Sequence, residues 1–272
     1  MLGRRLLRWC FKGLTIYAGV VVLLWLLEDN LLYHPIRADR DWRPAPLAVE
    51  DVHFPTADGT LIHAWWLAHP QGRGALLYLH GNAGNLSHRG FALEPLRQSL
   101  DVSVLIIDYP GYGRSTGRPS EAGCYAAGRA AMAWLAEQGI AADDVILFGK
   151  SLGGGVATEL ATEFPHRALV LVKTFTSVPD VAAEMFPWLP VRLCVRNRFD
   201  NLTKLSRCPR PIFIAQGDCD RLISPGHGER LYEAAPSPKE LLWLTGCDHN
   251  DPLPEVFYRR LRQFLDQHAP RS

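Results

Sequence analysis

The chain carries almost no excess charge. Its 29 lysines and arginines are set against 28 aspartates and glutamates, a formal net of +1 at pH 7, so nothing global draws it to nucleic acid or to another polyanion. It lacks an internal repeat and a low-complexity tract, which excludes solenoid, propeller and largely disordered architectures. Its cysteines (Cys10, Cys124, Cys194, Cys208, Cys219 and Cys247) include no C-x-x-C pair and no zinc-type spacing, which speaks against a metal site. What remains is globular composition, 47% hydrophobic and 21% charged. A chain of 272 residues holds one sizeable α/β domain with a short appendage, but hardly two independent enzymes.

The appendage is N-terminal. Arg4, Arg5, Arg8 and Lys12 precede an uncharged run over 13–27, and Glu28 and Asp29 follow it. Fifteen residues at 1.5 Å each give roughly 22 Å, short of a hydrocarbon core of roughly 30 Å, so a membrane span must borrow Leu6, Leu7, Trp9 and Phe11. A cleaved signal peptide needs small residues at its cut, and Leu26-Leu27-Glu28-Asp29-Asn30 offers none. The sequence therefore predicts an uncleaved anchor over 1–35, a proline-bearing linker over 36–49, and an α/β domain over 50–270. A helix packed on the domain is the blander alternative. Positive charge ahead of the span predicts a single-pass protein with its N-terminus in the cytoplasm and its domain on the far side, periplasmic or lumenal. Nothing in the sequence fixes an oligomeric state.

From residue 50 onward, β-rich runs alternate with helical patterns, the signature of a mostly parallel sheet covered by helices on both faces. Residues 52–54 and 61–67 flank the turn Ala57-Asp58-Gly59-Thr60 and predict an antiparallel hairpin. Short apolar runs at 75–80, 102–108, 145–149, 168–172, 212–216 and 241–245 then predict buried strands. The clearest helix is 120–138, opened by Pro119-Ser120 and stopped by Gly139. Residues 177–208, with Phe186, Trp188 and Phe199, are too long for a simple crossover and predict a short cap over a pocket.

Gly149-Lys150-Ser151-Leu152-Gly153 satisfies G-x-S-x-G, between an apolar strand and a helix that runs on through Val156, Ala157 and Leu160. A nucleophile elbow holds its serine in strained backbone, so small residues must flank it where strand and helix nearly collide. A serine hydroxyl needs a base to take its proton and a carboxylate to orient that base. His249 comes directly after the strand over 241–245, in a loop of turn-forming residues, and is the candidate base. The strand over 212–216 ends in Gly217-Asp218-Cys219-Asp220. Asp220 is the candidate acid, with Asp218 assigned to capping its own turn. Leu152 and Asn82 are the candidate oxyanion donors, through their backbone N–H groups. Asn85 is read as a helix cap and His80 as a structural histidine. In an oxidising compartment Cys219 and Cys247, beside the candidate acid and base, are placed to pair; separate packed thiols are the plainer reading.

These residues resemble the α/β-hydrolase superfamily, specifically its membrane-anchored abhydrolase-domain branch, which includes the protein-depalmitoylase-like members. The resemblance spans nearly the whole chain. It rests on the elbow and on His80-Gly81-Asn82-Ala83-Gly84, Asp108-Tyr109-Pro110-Gly111-Tyr112-Gly113, Arg198-Phe199-Asp200-Asn201-Leu202 and His249-Asn250-Asp251. It implies an α/β-hydrolase fold, an acyl-hydrolase triad at Ser151, Asp220 and His249, and a short N-terminal anchor. Two departures stand out. Gln216-Gly217 replaces a common His-Gly, which is expected to change little. Lys173-Thr174 replaces a pairing that is often acidic and small, which is expected to alter charge beside the pocket.

The function these signals predict is a serine hydrolase cleaving a small-molecule or lipid acyl ester or thioester through an acyl-enzyme on Ser151, with no cofactor required. A serine peptidase or amidase on the same triad is the enzymatic alternative. A non-catalytic, membrane-anchored binding module is the third reading, and it predicts loss of a triad member, which the sequence does not show.

Overall fold

Apolar runs without polar alternation need cover on both faces, and the chain supplies it. The computed structural model describes residues 2–72 and 74–270. Met1, Arg73, Arg271 and Ser272 lie outside the described residues, as does the side chain of Arg5 from the basic flank. The strands are β1 (His34–Pro35), β2 (Glu50–Pro55), β3 (Leu61–Leu67), β4 (Ala75–Leu79), β5 (Ala83–Gly84), β6 (Ser103–Ile107), β7 (Val145–Lys150), β8 (Ala168–Val172), β9 (Ile212–Gly217) and β10 (Lys239–Leu244). Eight of them form one sheet in the order β10-β9-β8-β7-β4-β6-β3-β2. The hairpin β2–β3 is antiparallel, β3 runs antiparallel to β6, and every other neighbouring pair is parallel.

Side chains along β7 show how the core divides. Val145 and Leu147 point to one apolar cluster and Ile146 and Phe148 to the other, as the period of two requires. The first cluster is covered by α3 (Glu121–Glu137), α4 (Leu152–Glu163) and α8 (Pro225–Ala234), through Leu135, Val156 and Leu231. The second is covered by α2 (Leu93–Leu100) and α9 (Glu255–His268), through Leu96, Phe257 and Phe264. Ser120 caps α3 by accepting a hydrogen bond from the Gly123 N–H.

Residues 177–208 contain α5 (Val178–Met185), α6 (Val191–Cys194) and α7 (Asn201–Leu205). The first two lie over the carboxyl ends of the strands. From Phe199 onward the segment returns to the domain, and Phe199 and Leu205 are fully buried in the first cluster.

The N-terminal helix α1 runs without a break over Leu2–Leu32. Its apolar stretch, Leu6–Leu32, is 27 residues and holds an 18-residue window with a mean hydropathy of 2.0, long and apolar enough to cross a membrane, as a signal sequence also is. The uncharged run over 13–27 looked short because Glu28 and Asp29 read as its polar end. They are instead helical, and the Glu28 side chain is buried against the segment over 196–197. The residues that follow do not leave the domain. Strand β1 pairs with β5, Arg37 bridges to Gly113, and Trp42 packs edge-on against Trp65.

Candidate active site

Four loops leave the carboxyl ends of parallel strands of the one sheet, after β4, β7, β9 and β10. In an open α/β sheet this edge is where ligands bind, and it is where Asn82, Ser151, Asp220 and His249 come together.

Ser151 lies between β7 and α4 with φ 54° and ψ −121°, a positive-φ conformation costly for a residue with a Cβ. The surroundings hold it there. Its N–H donates to the Val172 carbonyl (3.0 Å) and its own carbonyl accepts from the Thr174 hydroxyl (2.7 Å). The flanking glycines are required by contact. A Cβ at Gly149 would overlap the Gly153 carbonyl, and one at Gly153 would overlap the Leu79 carbonyl oxygen.

His249 Nε2 lies 3.0 Å from Ser151 Oγ, and His249 Nδ1 lies 2.8 Å from Asp220 Oδ2. A carboxylate only accepts, so Nδ1 carries the proton and Nε2 is left to accept the serine hydroxyl. All three side chains are buried. Asp220 is held in turn: Oδ1 accepts from the N–H groups of Leu222 (3.0 Å) and Ile223 (2.8 Å), and the Gln216 amide donates toward Oδ2 at 3.4 Å. Gln216, expected to matter little, therefore touches Asp220 directly, from the end of the same strand that leads into the aspartate loop.

Asp218 does not cap its own turn. It accepts from the Gly246 N–H at 2.7 Å and so ties the aspartate loop to the histidine loop. Asp248 strengthens the same junction: it accepts from the Arg221 N–H (3.0 Å), from the His249 N–H (2.8 Å) and from the Arg221 guanidinium (2.8 Å). These bonds hold its carboxyl well below the usual carboxylate range. The thiols of Cys219 and Cys247 are both free, although their loops touch through the Cys219 N–H and the Cys247 carbonyl at 3.3 Å.

Lys173 corrects an expectation. Its charge does not face the pocket. The residue is fully buried with φ 47°, and its ammonium donates to the carbonyls of Asp248 (2.6 Å) and Asp251 (3.0 Å), behind the histidine loop. Burial pushes its pKa down. The roles of Thr174 and Lys173 depend on which strand ends are neighbours, and the sequence carries no local signal for them.

Leu152 is the first residue of α4, so its N–H has no acceptor within the helix. Asn82 is fixed from both sides: its carbonyl accepts from the His34 N–H (3.0 Å) and the Tyr112 hydroxyl (2.7 Å), and its amide donates to the Leu32 carbonyl (2.8 Å). His80 is buried, with Nδ1 2.7 Å from the Gly81 carbonyl and Nε2 3.4 Å from Asp108, and Asn85 caps the turn after it. Asp108 fixes that turn by accepting from the Leu86 N–H at 2.7 Å. Burial alone would raise the Asp108 pKa, but His63 and His80 beside it outweigh burial and lower it.

Asn82, Ser151 and Leu152 open into one cavity of about 450 Å³. Its far walls are carbon: Phe175, Val181, Phe186 and Val191 from the domain and cap, and Val21 and Leu24 from α1.

This sheet order, with its elbow at the end of the fifth long strand, is the architecture of an α/β hydrolase. A family model for the alpha/beta hydrolase fold matches residues 74–193. An uncharacterized Mycobacterium tuberculosis protein, Rv2307c, is 35% identical over 259 residues, covering 93% of this chain and 92% of that protein. The alpha/beta hydrolase domain-containing protein WAV2 of Arabidopsis thaliana is 29% identical over 297 residues, covering 96% of this chain and 94% of that one. Among solved structures, the Pyrococcus furiosus esterase Pf2001 superposes with a TM-score of 0.71 at 21% identity, over 87% of this chain and 99% of its own. The chain belongs to the α/β-hydrolase family, in its abhydrolase-domain branch.

Proposed function

We propose that the chain is a serine hydrolase that cleaves a carboxylic ester or thioester, with Ser151 as nucleophile, His249 as base and then acid, and Asp220 as the group that orients and stabilises the imidazolium. The observation that carries this reading is the continuous chain of contacts from Ser151 Oγ through His249 to Asp220, at 3.0 and 2.8 Å. Oγ attacks the acyl carbon as Nε2 takes its proton, and the carbonyl oxygen becomes an oxyanion facing the N–H groups of Leu152 and Asn82. The imidazolium protonates the leaving alcohol or thiol, the acyl group stays on Ser151, and a water activated by the same nitrogen releases the acid. The likeness to an esterase supports ester chemistry, and the carbon-lined cavity favours an acyl group over a peptide.

The test is labelling with a fluorophosphonate probe and turnover of p-nitrophenyl esters by the full chain in detergent. Labelling of Ser151 that is lost in Ser151→Ala, with ester turnover lost alongside it, is the expected outcome. Unchanged labelling in that variant would sink the assignment. The proposed arrangement, an N-terminal helix in the membrane with its first residues in the cytoplasm, is tested by a reporter fused to the C-terminus. Activity of a cytoplasm-dependent reporter there contradicts it.

A further inference from the structure

Glu28, Leu32 and Tyr17 attach α1 to the domain at three levels. The Glu28 carboxylate accepts from the N–H groups of Arg196 (2.9 Å) and Asn197 (2.7 Å) and from the Asn197 amide (2.8 Å). The Leu32 carbonyl accepts from Asn82, the candidate oxyanion residue. About 22 Å further up the helix, at 1.5 Å per residue, the Tyr17 hydroxyl donates to the Trp188 carbonyl of the cap at 3.0 Å. A detached tether would make none of these contacts. Between the attachments, Val21, Leu24, Glu28 and Leu32 follow helical spacing along one face, and all four line the cavity that contains Ser151.

The chemistry of that cavity restricts what fits. Its volume, about 450 Å³, lies within the roughly 300–1,000 Å³ that hold whole small molecules. Of the charged side chains lining it, Glu28 is already committed to Arg196 and Asn197. The remaining wall toward α1 and the cap is alkyl and aromatic: Val21, Leu24, Trp25, Met185, Phe186 and Val191. A sugar, a phosphate or a polar peptide finds no partner there, and an alkyl chain needs none.

The position of the cavity says where such a chain comes from. Above Tyr17 the described side chains from Leu6 to Ile16 are exposed, and that stretch rises about 16 Å, less than the roughly 30 Å of a hydrocarbon core. A helix seated across a bilayer therefore brings the tip of the cap into the apolar layer with it. That tip is suited to lipid: Phe186, Trp188 and Leu193 are 45%, 59% and 89% exposed, a large apolar patch of the kind that marks a membrane or partner surface.

We infer that α1 is a wall of the acyl-binding site as well as an anchor: a long unbranched acyl chain, carried on an ester or thioester, enters between α1 and the cap from the apolar layer, and Val21, Leu24 and Trp25 set the length accepted. This rests on the serine-hydrolase reading above and names its substrate class.

Two experiments test it on the full chain in nanodiscs. In the first, a dodecyl fluorophosphonate carrying a diazirine at the end of its chain reacts with the wild-type protein: Oγ of Ser151 bonds to phosphorus, fluoride leaves, and the serine proton passes to His249. Irradiation is expected to crosslink the chain terminus to peptides from 17–32 or 178–195. Crosslinks confined to other peptides overturn the inference, whereas absence of Ser151 labelling overturns the underlying serine chemistry. In the second, the ratio of kcat/KM for dodecanoyl over acetyl p-nitrophenyl esters is compared among variants. Leu24→Trp and Val21→Phe remove room for several methylenes, each worth roughly tenfold in a hydrophobic pocket, so the ratio falls at least tenfold. Leu23→Trp makes the same enlargement on the exposed face and leaves the ratio within twofold. Equal ratios in Leu24→Trp, Val21→Phe and wild type, all labelled by the probe, overturn the assignment. Monoacylglycerol in the bilayer and an S-acylated peptide then separate the two sources of such a chain. Turnover of either supports the inference, and turnover of neither beside active p-nitrophenyl dodecanoate hydrolysis refutes it.

Discussion

The ammonium of Lys173 lies 2.6 Å from the carbonyl oxygen of Asp248, one residue before His249. It is buried, and it also holds the Asp251 carbonyl, so it spans the histidine loop from behind. The buried charge is satisfied by two partly buried carbonyls, and removing it takes a donor from each, leaving the Asp248 carbonyl only the Asp251 N–H at 3.3 Å. Lys173→Met should loosen the loop and the Nε2–Oγ alignment. The expected result is a fall in kcat of roughly ten- to a hundredfold with KM changed little, since misplacement of about 1 Å costs on that order. Lys173→Arg, which keeps a donor, should recover part of it. Steady-state kinetics on a p-nitrophenyl ester would decide, and equal loss in both variants would mean that Lys173 serves packing alone.

Asp220 presents one oxygen to the imidazole and the other to two backbone N–H groups. Asn can keep the backbone bonds through its carbonyl oxygen, but then turns an NH2 group toward His249 Nδ1 and favours the wrong tautomer. Asp220→Asn is therefore expected to lower kcat by roughly 10³–10⁴ with a melting temperature close to that of the parent. An activity within tenfold of wild type would remove Asp220 from the proposed mechanism.

The long strands were readable because a parallel sheet covered on both faces leaves apolar runs with no alternation, and Val145 to Phe148 is such a run. The elbow was readable because only small residues fit where the Gly153 Cα approaches the Leu79 carbonyl. Other features depend on neighbours distant in sequence. Thr174 reaches the Ser151 carbonyl and Asp218 reaches Gly246; each is an ordinary polar residue until the strand order makes them adjacent. The face of α1 is the plainest case. Val21 and Leu24 carry the same hydropathy whether they meet lipid or a cavity, and Glu28 resembles the polar end of a span until Asn197 is found against it.

Glycines in this chain divide by what a methyl group would meet, and two of them should respond in opposite directions. At Gly153 an added Cβ overlaps the Leu79 carbonyl oxygen and crowds that of His80, both rigid backbone. Gly153→Ala is expected to lose about 3 kcal/mol or more of stability, at the upper end of overpacking costs, and with it Ser151 labelling. At Gly226, inside the first turn of α8, nothing lies within 4 Å. Gly226→Ala should gain about 0.5–1 kcal/mol from helix propensity and lost unfolded-state entropy. Thermal unfolding in detergent reads both, and a stable, labelled Gly153→Ala protein would contradict the close-approach account of the elbow.

Lys150, beside the proposed nucleophile, should make stability depend on alkaline pH. Burial and then the nearby charge of Lys173 push its pKa down to about 8, against the opposing pull of Asp220 and Asp251. The unfolded chain titrates this lysine near 10.4. Below pH 8 both states hold the proton, and the folded state bears the full cost of a poorly solvated charge. Between pH 8 and 10.4 the unfolded state binds more protons than the folded one, so this residue's contribution to stability rises with pH across that window. Lys150→Met removes the cost. The variant is expected to be more stable at pH 7 by about 1–2 kcal/mol, discounted from the full shift because the side chain keeps some exposure to solvent. That gain should shrink as pH climbs from 8 to 10, because the wild type sheds its proton while the variant has none to lose. Melting temperatures of the two proteins at pH 7 and pH 10 measure the difference directly, and a gap that stays constant or widens with pH would mean that the Lys150 ammonium is solvated in the folded state.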